Sequence, residues 1–142
     1  MEITDTTTLD ATIDQAWALT LDIEALPSVT PTVTAVERLE TGPVTVGSRA
    51  RLSQPGLRPL VWTVEEVEAP HRFAWSTRLL GVRMVGVHEL ASLDEGSCQL
   101  TLRLQLEGRG SRVLGRLGRR SLQQTLATEC AGFQRVAASS VA

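Results

Sequence analysis

The chain has 142 residues, the length of a single domain, and its 42% hydrophobic and 21% charged residues are typical of a globular protein. No apolar run approaches the roughly 20 residues that span a bilayer, which excludes stable membrane insertion, and a formal net charge of −2 argues against nucleic acid as a partner because phosphate binding needs a broad basic surface. The N-terminus lacks the basic and apolar regions of a secretion signal, so we expect a cytoplasmic protein whose residues 1–142 form one domain.

The first part of the chain predicts one strand and two short helices. Residues 2–9 are rich in threonine and roughly alternate in polarity, which favours a strand. Residues 13–21 carry apolar side chains at helical spacing, behind polar residues that can cap a helix. Residues 22–26 predict a second short helix, and Pro27 is expected to end it because proline has no N–H to donate.

Turn residues then divide the chain into further segments with strand patterning, as in an antiparallel meander. The last segment is the clearest, because one cysteine and four leucines alternate with polar residues, so one face is buried and the other solvated. The predicted strands are 33–40, 48–54, 60–67, 72–78, 82–93 and 97–107.

One long amphipathic helix is predicted from Ser111 to about residue 138, with apolar residues recurring every three or four positions. Gly115 and Gly118 weaken its first half by roughly 1 kcal/mol each. Strands with one apolar face need a cover, and this helix is the only long element available. The pattern therefore predicts an α+β fold in which a curved antiparallel sheet of about six or seven strands wraps around the C-terminal helix.

The two cysteines do not indicate a disulfide framework or a metal site. Cys98 and Cys130 are far apart in sequence, with neither CxxC spacing nor a nearby histidine. Both are predicted to be small apolar core residues. We therefore expect no metal and no cofactor.

Several local strings, in this order and at these spacings, add a resemblance to a known family. They are Thr12–Trp17, Asp22–Pro27, Val46–Arg49, Trp62–Val64, Ala69–Trp75, and His88–Leu90 leading to Gly96–Ser97. Together they resemble the polyketide cyclase/dehydrase-like branch of the START-like (SRPBCC, helix-grip) superfamily over residues 2–138. The chain departs from that pattern at Ser28 and Val29, where an aromatic residue commonly follows the Leu-Pro pair.

The resemblance implies an internal cavity between the sheet and the C-terminal helix. Members of the family bind small hydrophobic ligands there, which are lipid-like, polycyclic or polyketide-like. Some members are cyclases or aromatases, so the resemblance implies a pocket more directly than a reaction. The partner expected for this chain is a small hydrophobic ligand, bound by a monomer or a homodimer.

The register of the last hairpin decides which side chains face the cavity. A three-residue turn at Asp94–Gly96 places His88 and Leu90 on the same face as the leucines of the last strand. A two-residue turn would bury the unpaired Glu89 carboxylate, which costs several kcal/mol, so the first register is preferred. The predicted cavity wall is apolar and aromatic: Leu52, Trp62, Val64, Phe73, Trp75, Met84, His88, Leu90, Leu102, Leu104, Leu117 and Leu122.

His88 is the one ionisable residue that this register places inside. It can hydrogen-bond a ligand carbonyl or act as a general acid or base, or it can be a core histidine satisfied by a backbone group. The aromatic residues can stack on a flat ligand or simply fill volume. No Gly-x-Ser-x-Gly, Cys–His pair, phosphate loop or HExxH is present. The sequence therefore leaves an enzymatic role open and favours binding, with a cyclase or aromatase using His88 as the alternative.

The segment Arg109–Arg120 contains five arginines and no acid. Such a segment can be a solvated helix face, or it can contact anionic lipid or a partner protein. A protein- or membrane-interaction module, limited to peripheral membrane contact, is therefore a further alternative.

Overall fold

The computed structural model describes residues 1–141, except for the side chains of Leu117, Ser140 and Val141. The strands in this range form one antiparallel sheet in the order β1-β7-β6-β5-β4-β3-β2. Each strand from β2 to β6 pairs with the next strand along the chain, and β1 pairs with β7. The strands are β1 (Glu2–Leu9), β2 (Ala35–Arg38), β3 (Arg49–Ser53), β4 (Leu60–Glu68), β5 (Arg72–Leu79), β6 (Val82–Asp94) and β7 (Ser97–Glu107).

Two short helices follow β1: α1 (Ile13–Leu21) and, after a 3₁₀ turn over Ile23–Ala25, α2 (Leu26–Val29). Thr12 caps α1 by accepting from the Gln15 backbone N–H at 3.1 Å. The prediction that Pro27 ends a helix was wrong, because Pro27 lies in the first turn of α2. An N–H there would have no partner within the helix, so proline is tolerated.

The long helix α3 (Ser111–Val141) packs against β1 and β7 and also contacts α1 and α2. Its buried face carries Leu126, Cys130, Phe133 and Ala137, spaced so that one stripe of the helix meets the sheet. The predicted helix-grip fold is confirmed. Within residues 1–141, no helix combines the length and the apolar character that crossing a membrane requires.

The β6–β7 hairpin keeps the predicted register but not the predicted turn. His88 lies opposite Leu102 and Leu90 opposite Leu100, as expected, whereas Asp94 pairs with Ser97, which makes a two-residue turn. A bulge between Ser92 and Asp94 adds one residue to β6 and restores the register. The three-residue turn was therefore wrong.

The bulge keeps Glu89 on the outer face of the sheet. There its carboxylate forms ion pairs with Arg103 and, at 3.5 Å, with Arg72. Burying this carboxylate without a partner would have been costly, so the bulge and the ion pairs select the same register.

Candidate functional site

A cavity of about 120 Å³ lies between the inner face of the sheet and α3. Residues from β3 to β7, α2 and α3 border it. Of the residues predicted for the wall, the structure places these at the cavity: Leu52, Trp62, Trp75, Met84, His88, Leu102, Leu104 and Leu122.

Three other predicted wall residues are buried in the core and are not among the described residues that border this cavity: Val64, Phe73 and Leu90. Phe73 stands behind the wall, with its ring centroid 5.4 Å from that of Trp75. Leu90 lies in the C-terminal part of β6. Helix α1 begins near this end of the strand and contacts β6. The predicted side chain of Leu117 lies outside the described residues.

The aromatic part of the wall is built around Gly86. The Trp62 and Trp75 ring centroids are 5.5 Å apart with the planes tilted by 41°. A Cβ on Gly86 would stand 3.2 Å from Trp75 Nε1 and 3.7 Å from a carbon of the Trp62 ring. The missing side chain at Gly86 therefore lets the two indoles lie close against β6.

His88 lies edge-on between two phenylalanine rings, with centroid distances of 5.8 Å to Phe73 and 5.6 Å to Phe133. Its Nδ1 is buried and has no hydrogen-bond partner among the described residues. Burial lowers the pKa of His88 from 6.5 to about 4, so the ring is neutral at pH 7. His88 is only partly accessible, and its ring borders the cavity. Since the ring is shielded from bulk solvent, its accessible surface faces the cavity.

Glu129 is a second titratable residue at the cavity, and it is not among the predicted wall residues. Its Oε1 accepts a hydrogen bond from the Thr32 hydroxyl at 2.9 Å. Burial raises the pKa of the Glu129 carboxyl from 4.5 to about 7, although the Thr32 hydrogen bond acts in the opposite direction. The signal was available, because Glu129 follows Leu126 by three positions and precedes Phe133 by four. It therefore falls on the apolar stripe of α3, where an acid is unusual.

A close approach of α2 to α3 sets the position of Glu129. Gly132 makes it possible, because a Cβ there would overlap the carbonyl oxygen of Val29 and lie 3.0 Å from its carbonyl carbon. One turn further along α3, the Arg135 guanidinium donates to the carbonyl oxygens of Ser28 at 3.1 Å and Val29 at 3.0 Å. These contacts hold the C-terminal end of α2 against α3, which brings Thr32, three residues further along the chain, within reach of Glu129.

The site therefore combines an apolar wall with a few polar groups. At neutral pH it offers a neutral imidazole at His88 and a carboxyl at Glu129 that is close to half-protonated. Such a pair can hydrogen-bond a ligand or exchange a proton with it. Trp62 adds a buried Nε1–H that has no partner among the described residues. Across residues 1–141, no group of three or more His, Cys, Asp or Glu side chains is placed to hold a metal ion.

A family model described as "Polyketide cyclase / dehydrase and lipid transport" matches residues 1–137. A comparison with curated protein sequences finds no significant match. Among solved structures, the Zhui aromatase/cyclase from Streptomyces sp. R1128 has a TM-score of 0.82 and 19% identity over 100% of this chain and 96% of that chain.

Two further solved structures show the same fold. A norcoclaurine synthase point mutant from Thalictrum flavum, in complex with a transition state analogue, has a TM-score of 0.80 and 14% identity over 100% of this chain and 96% of that chain. A START superfamily protein from Mycobacterium smegmatis has a TM-score of 0.73 and 14% identity over 95% of this chain and 98% of that chain. At these identities the likeness concerns the fold.

Proposed function

The chain belongs to the polyketide cyclase/dehydrase and lipid transport family, and we propose that it binds a small, flat hydrophobic ligand in the cavity between its sheet and α3. The observation that carries the proposal is the composition of the cavity wall. Two indole rings and several aliphatic side chains supply apolar surface, while Glu129 and His88 supply polar groups. Ligand sites typically have this composition, in which apolar surface gives affinity and a few polar groups fix orientation.

The size of the cavity limits what it holds without rearrangement. A volume of about 120 Å³ is below the roughly 300–1,000 Å³ of common ligand pockets. It is similar to the roughly 150 Å³ cavity that accommodates one benzene ring. We therefore propose that one ring or a short apolar chain enters directly, and that a polycyclic or lipid-like ligand requires the wall to move. We expect the side chain of Leu57 to move for such a ligand, because it borders the cavity and is 41% exposed.

Leu104→Phe is expected to fill the cavity and weaken ligand binding at least about tenfold, without loss of stability. Leu104 borders the cavity and is only partly buried, so the added ring atoms enter empty space. Native mass spectrometry of freshly purified protein would identify a co-purified ligand by its mass. Titration calorimetry with toluene, a neutral single-ring ligand that fits the volume of the cavity, would then compare affinities between variants.

The matched control for this substitution is Leu93→Phe. Leu93 is 53% exposed beside the β6–β7 turn and does not border the cavity among the described residues. Affinities that fall equally in both variants, or in neither, would contradict the proposed site.

The second candidate function is a cyclase or aromatase, favoured by two titratable groups at one cavity. In this role the protonated Glu129 carboxyl would donate to a ligand carbonyl, and the neutral His88 imidazole would accept a proton from an adjacent carbon. At neutral pH the His88 imidazole is already neutral, and about half of the molecules already carry a proton on Glu129.

With a synthetic poly-β-ketone as the substrate, His88→Ala is expected to lower kcat by roughly 10²–10⁴-fold and to change binding much less. Glu129→Gln keeps an acceptor for the Thr32 hydroxyl but removes the acidic proton, so it separates positioning from proton donation. Turnover that is unchanged in both variants would eliminate the enzymatic alternative and leave the binding function in place.

A further inference from the structure

One end of the sheet gathers several connections of the chain. Because the sheet is antiparallel throughout, the β3–β4 loop (54–59), the β5–β6 turn (80–81) and the β7–α3 connection (108–110) all lie at the same end. The first turns of α3 and the start of β1 also lie there. We call this region the basic end.

Contacts show that these segments are adjacent in space. A Cβ on Gly108 would lie 3.1 Å from the Gly81 carbonyl oxygen, so the β5–β6 turn touches the connection to α3. The Met1 ammonium donates to the Leu106 carbonyl at 3.2 Å. The Met1 sulfur occupies the position that a side chain on Gly115 would need. The N-terminus therefore packs against the first half of α3.

The basic end presents large apolar side chains to solvent. Leu80 is 83% exposed and Val113 is 63% exposed, and Leu57 is exposed at the cavity rim. Leu80 also has a φ of 52° and is followed by Gly81 with a φ of 78°. A two-residue hairpin turn with positive φ at both positions favours Asn-Gly, so an exposed leucine there is unfavourable both in conformation and in solvation. A residue that costs stability in this way points to a role in contact with an apolar phase.

Uncompensated positive charge surrounds these side chains. Five exposed arginines lie in the β7–α3 connection and the first three turns of α3, and none of them belongs to an ion pair among the described residues. Three acids close to this end are all in ion pairs, Glu2 with Arg103, and Glu65 and Glu107 with Arg83. The five are Arg109, Arg112, Arg116, Arg119 and Arg120.

The opposite end of the sheet differs in charge rather than in apolar exposure. Val46 is 64% exposed and Leu93 is 53% exposed there. The two-residue turn beside Leu93 is Glu95–Gly96, and the acid Asp94 ends β6 directly before it. Exposed apolar side chains thus occur at both ends, and only the basic end combines them with an excess of arginine.

We propose that the basic end docks on the surface of an anionic lipid bilayer. Leu80 and Val113 would enter the boundary between headgroups and acyl chains, and the arginines would contact the anionic headgroups. This surface also holds Leu57, which borders the cavity, so docking places the cavity rim at the membrane. That last step rests on the proposed ligand-binding function, whereas the docking itself does not.

The test is flotation of the full chain with vesicles of phosphatidylcholine and phosphatidylglycerol, compared with vesicles of phosphatidylcholine alone. Binding is expected only with the anionic vesicles and is expected to weaken as salt is added. Each arginine near an anionic surface contributes about a fivefold gain in partitioning, so Arg116→Glu combined with Arg119→Glu is expected to lower partitioning at least about tenfold. Leu80→Ser is expected to lower it severalfold.

Leu93→Ser is the matched control, because it removes an exposed leucine from the opposite end. An equal loss in this control, or no binding to anionic vesicles, would overturn the proposal. Self-association in sedimentation velocity that Leu80→Ser abolishes, without vesicle binding, would assign the surface to a second copy and also overturn it. Affinity for toluene, measured without vesicles, is expected to be the same in all of these variants. Failure of docking is thus distinguishable from failure of the cavity function.

Discussion

Replacing Gly132 with alanine is expected to lower the free energy of unfolding by roughly 3 kcal/mol, near the upper end of overpacking costs. The added Cβ would overlap the carbonyl oxygen of Val29, which is backbone and cannot rotate away. Helix α2 also cannot move freely away from α3, because the Arg135 guanidinium donates hydrogen bonds to the carbonyl oxygens of Ser28 and Val29. Urea unfolding followed by circular dichroism measures the difference.

Gly118→Ala in the same helix is the matched control. The nearest side-chain atom to a Cβ there belongs to Leu122, at 3.8 Å, which is an ordinary contact. Without a clash, the alanine is expected to stabilise the helix by about 1 kcal/mol. The two substitutions are chemically identical and should have opposite signs. Equal effects would contradict the close approach of α2 to α3.

Two cavity residues are expected to give the folding equilibrium opposite dependences on pH. The pKa of Glu129 rises from 4.5 to about 7 in the folded protein, so folding favours its protonated form. The stabilising contribution of Glu129 to the free energy of unfolding is complete below pH 4.5 and is lost as pH rises to 7. The pKa of His88 falls from 6.5 to about 4, so its contribution is complete above pH 6.5 and is lost as pH falls toward 4. Each change amounts to roughly 3 kcal/mol.

Single substitutions separate the pH-dependent contribution of Glu129 to stability from that of His88. Relative to the unmodified chain, Glu129→Gln is expected to gain stability as pH rises from 4.5 to 7, because the cost of burying a charged carboxylate disappears. His88→Gln is expected to gain relative stability as pH falls from 6.5 to 4. Urea unfolding at several pH values between 4 and 8 gives both differences. A difference that does not change with pH would show that the residue is not buried as described.

Local pattern was enough to predict most of the sheet. Alternation along β7 fixed which leucines face inward, and the cost of burying Glu89 then fixed the register of β6. The turn between these strands was predicted wrongly, because a bulge and a shorter turn give the same register as a longer turn. Side-chain alternation reports the register and cannot show how the chain achieves it.

The cavity depends on contacts that no local pattern contains. Glu129 stands beside Thr32 only because Gly132 lets α3 approach α2, and the hydrogen-bonded residues are 97 positions apart. Strand alternation gave the predicted wall residues of the sheet, and it identifies the inner face but not which part of that face borders the cavity. For this reason Phe73 and Leu90 were grouped with residues that border the cavity, although both lie in the packed core.

The cavity also has a mechanical consequence. A cavity volume of about 120 Å³ per molecule corresponds to about 70 mL per mole, which is within the range of volume changes that accompany unfolding. Hydrostatic pressure favours the state with the smaller total volume, so the resistance of the fold to pressure depends on how completely this volume is filled. A ligand that fills the cavity is therefore expected to raise the pressure at which the chain unfolds, whatever the chemical identity of the ligand.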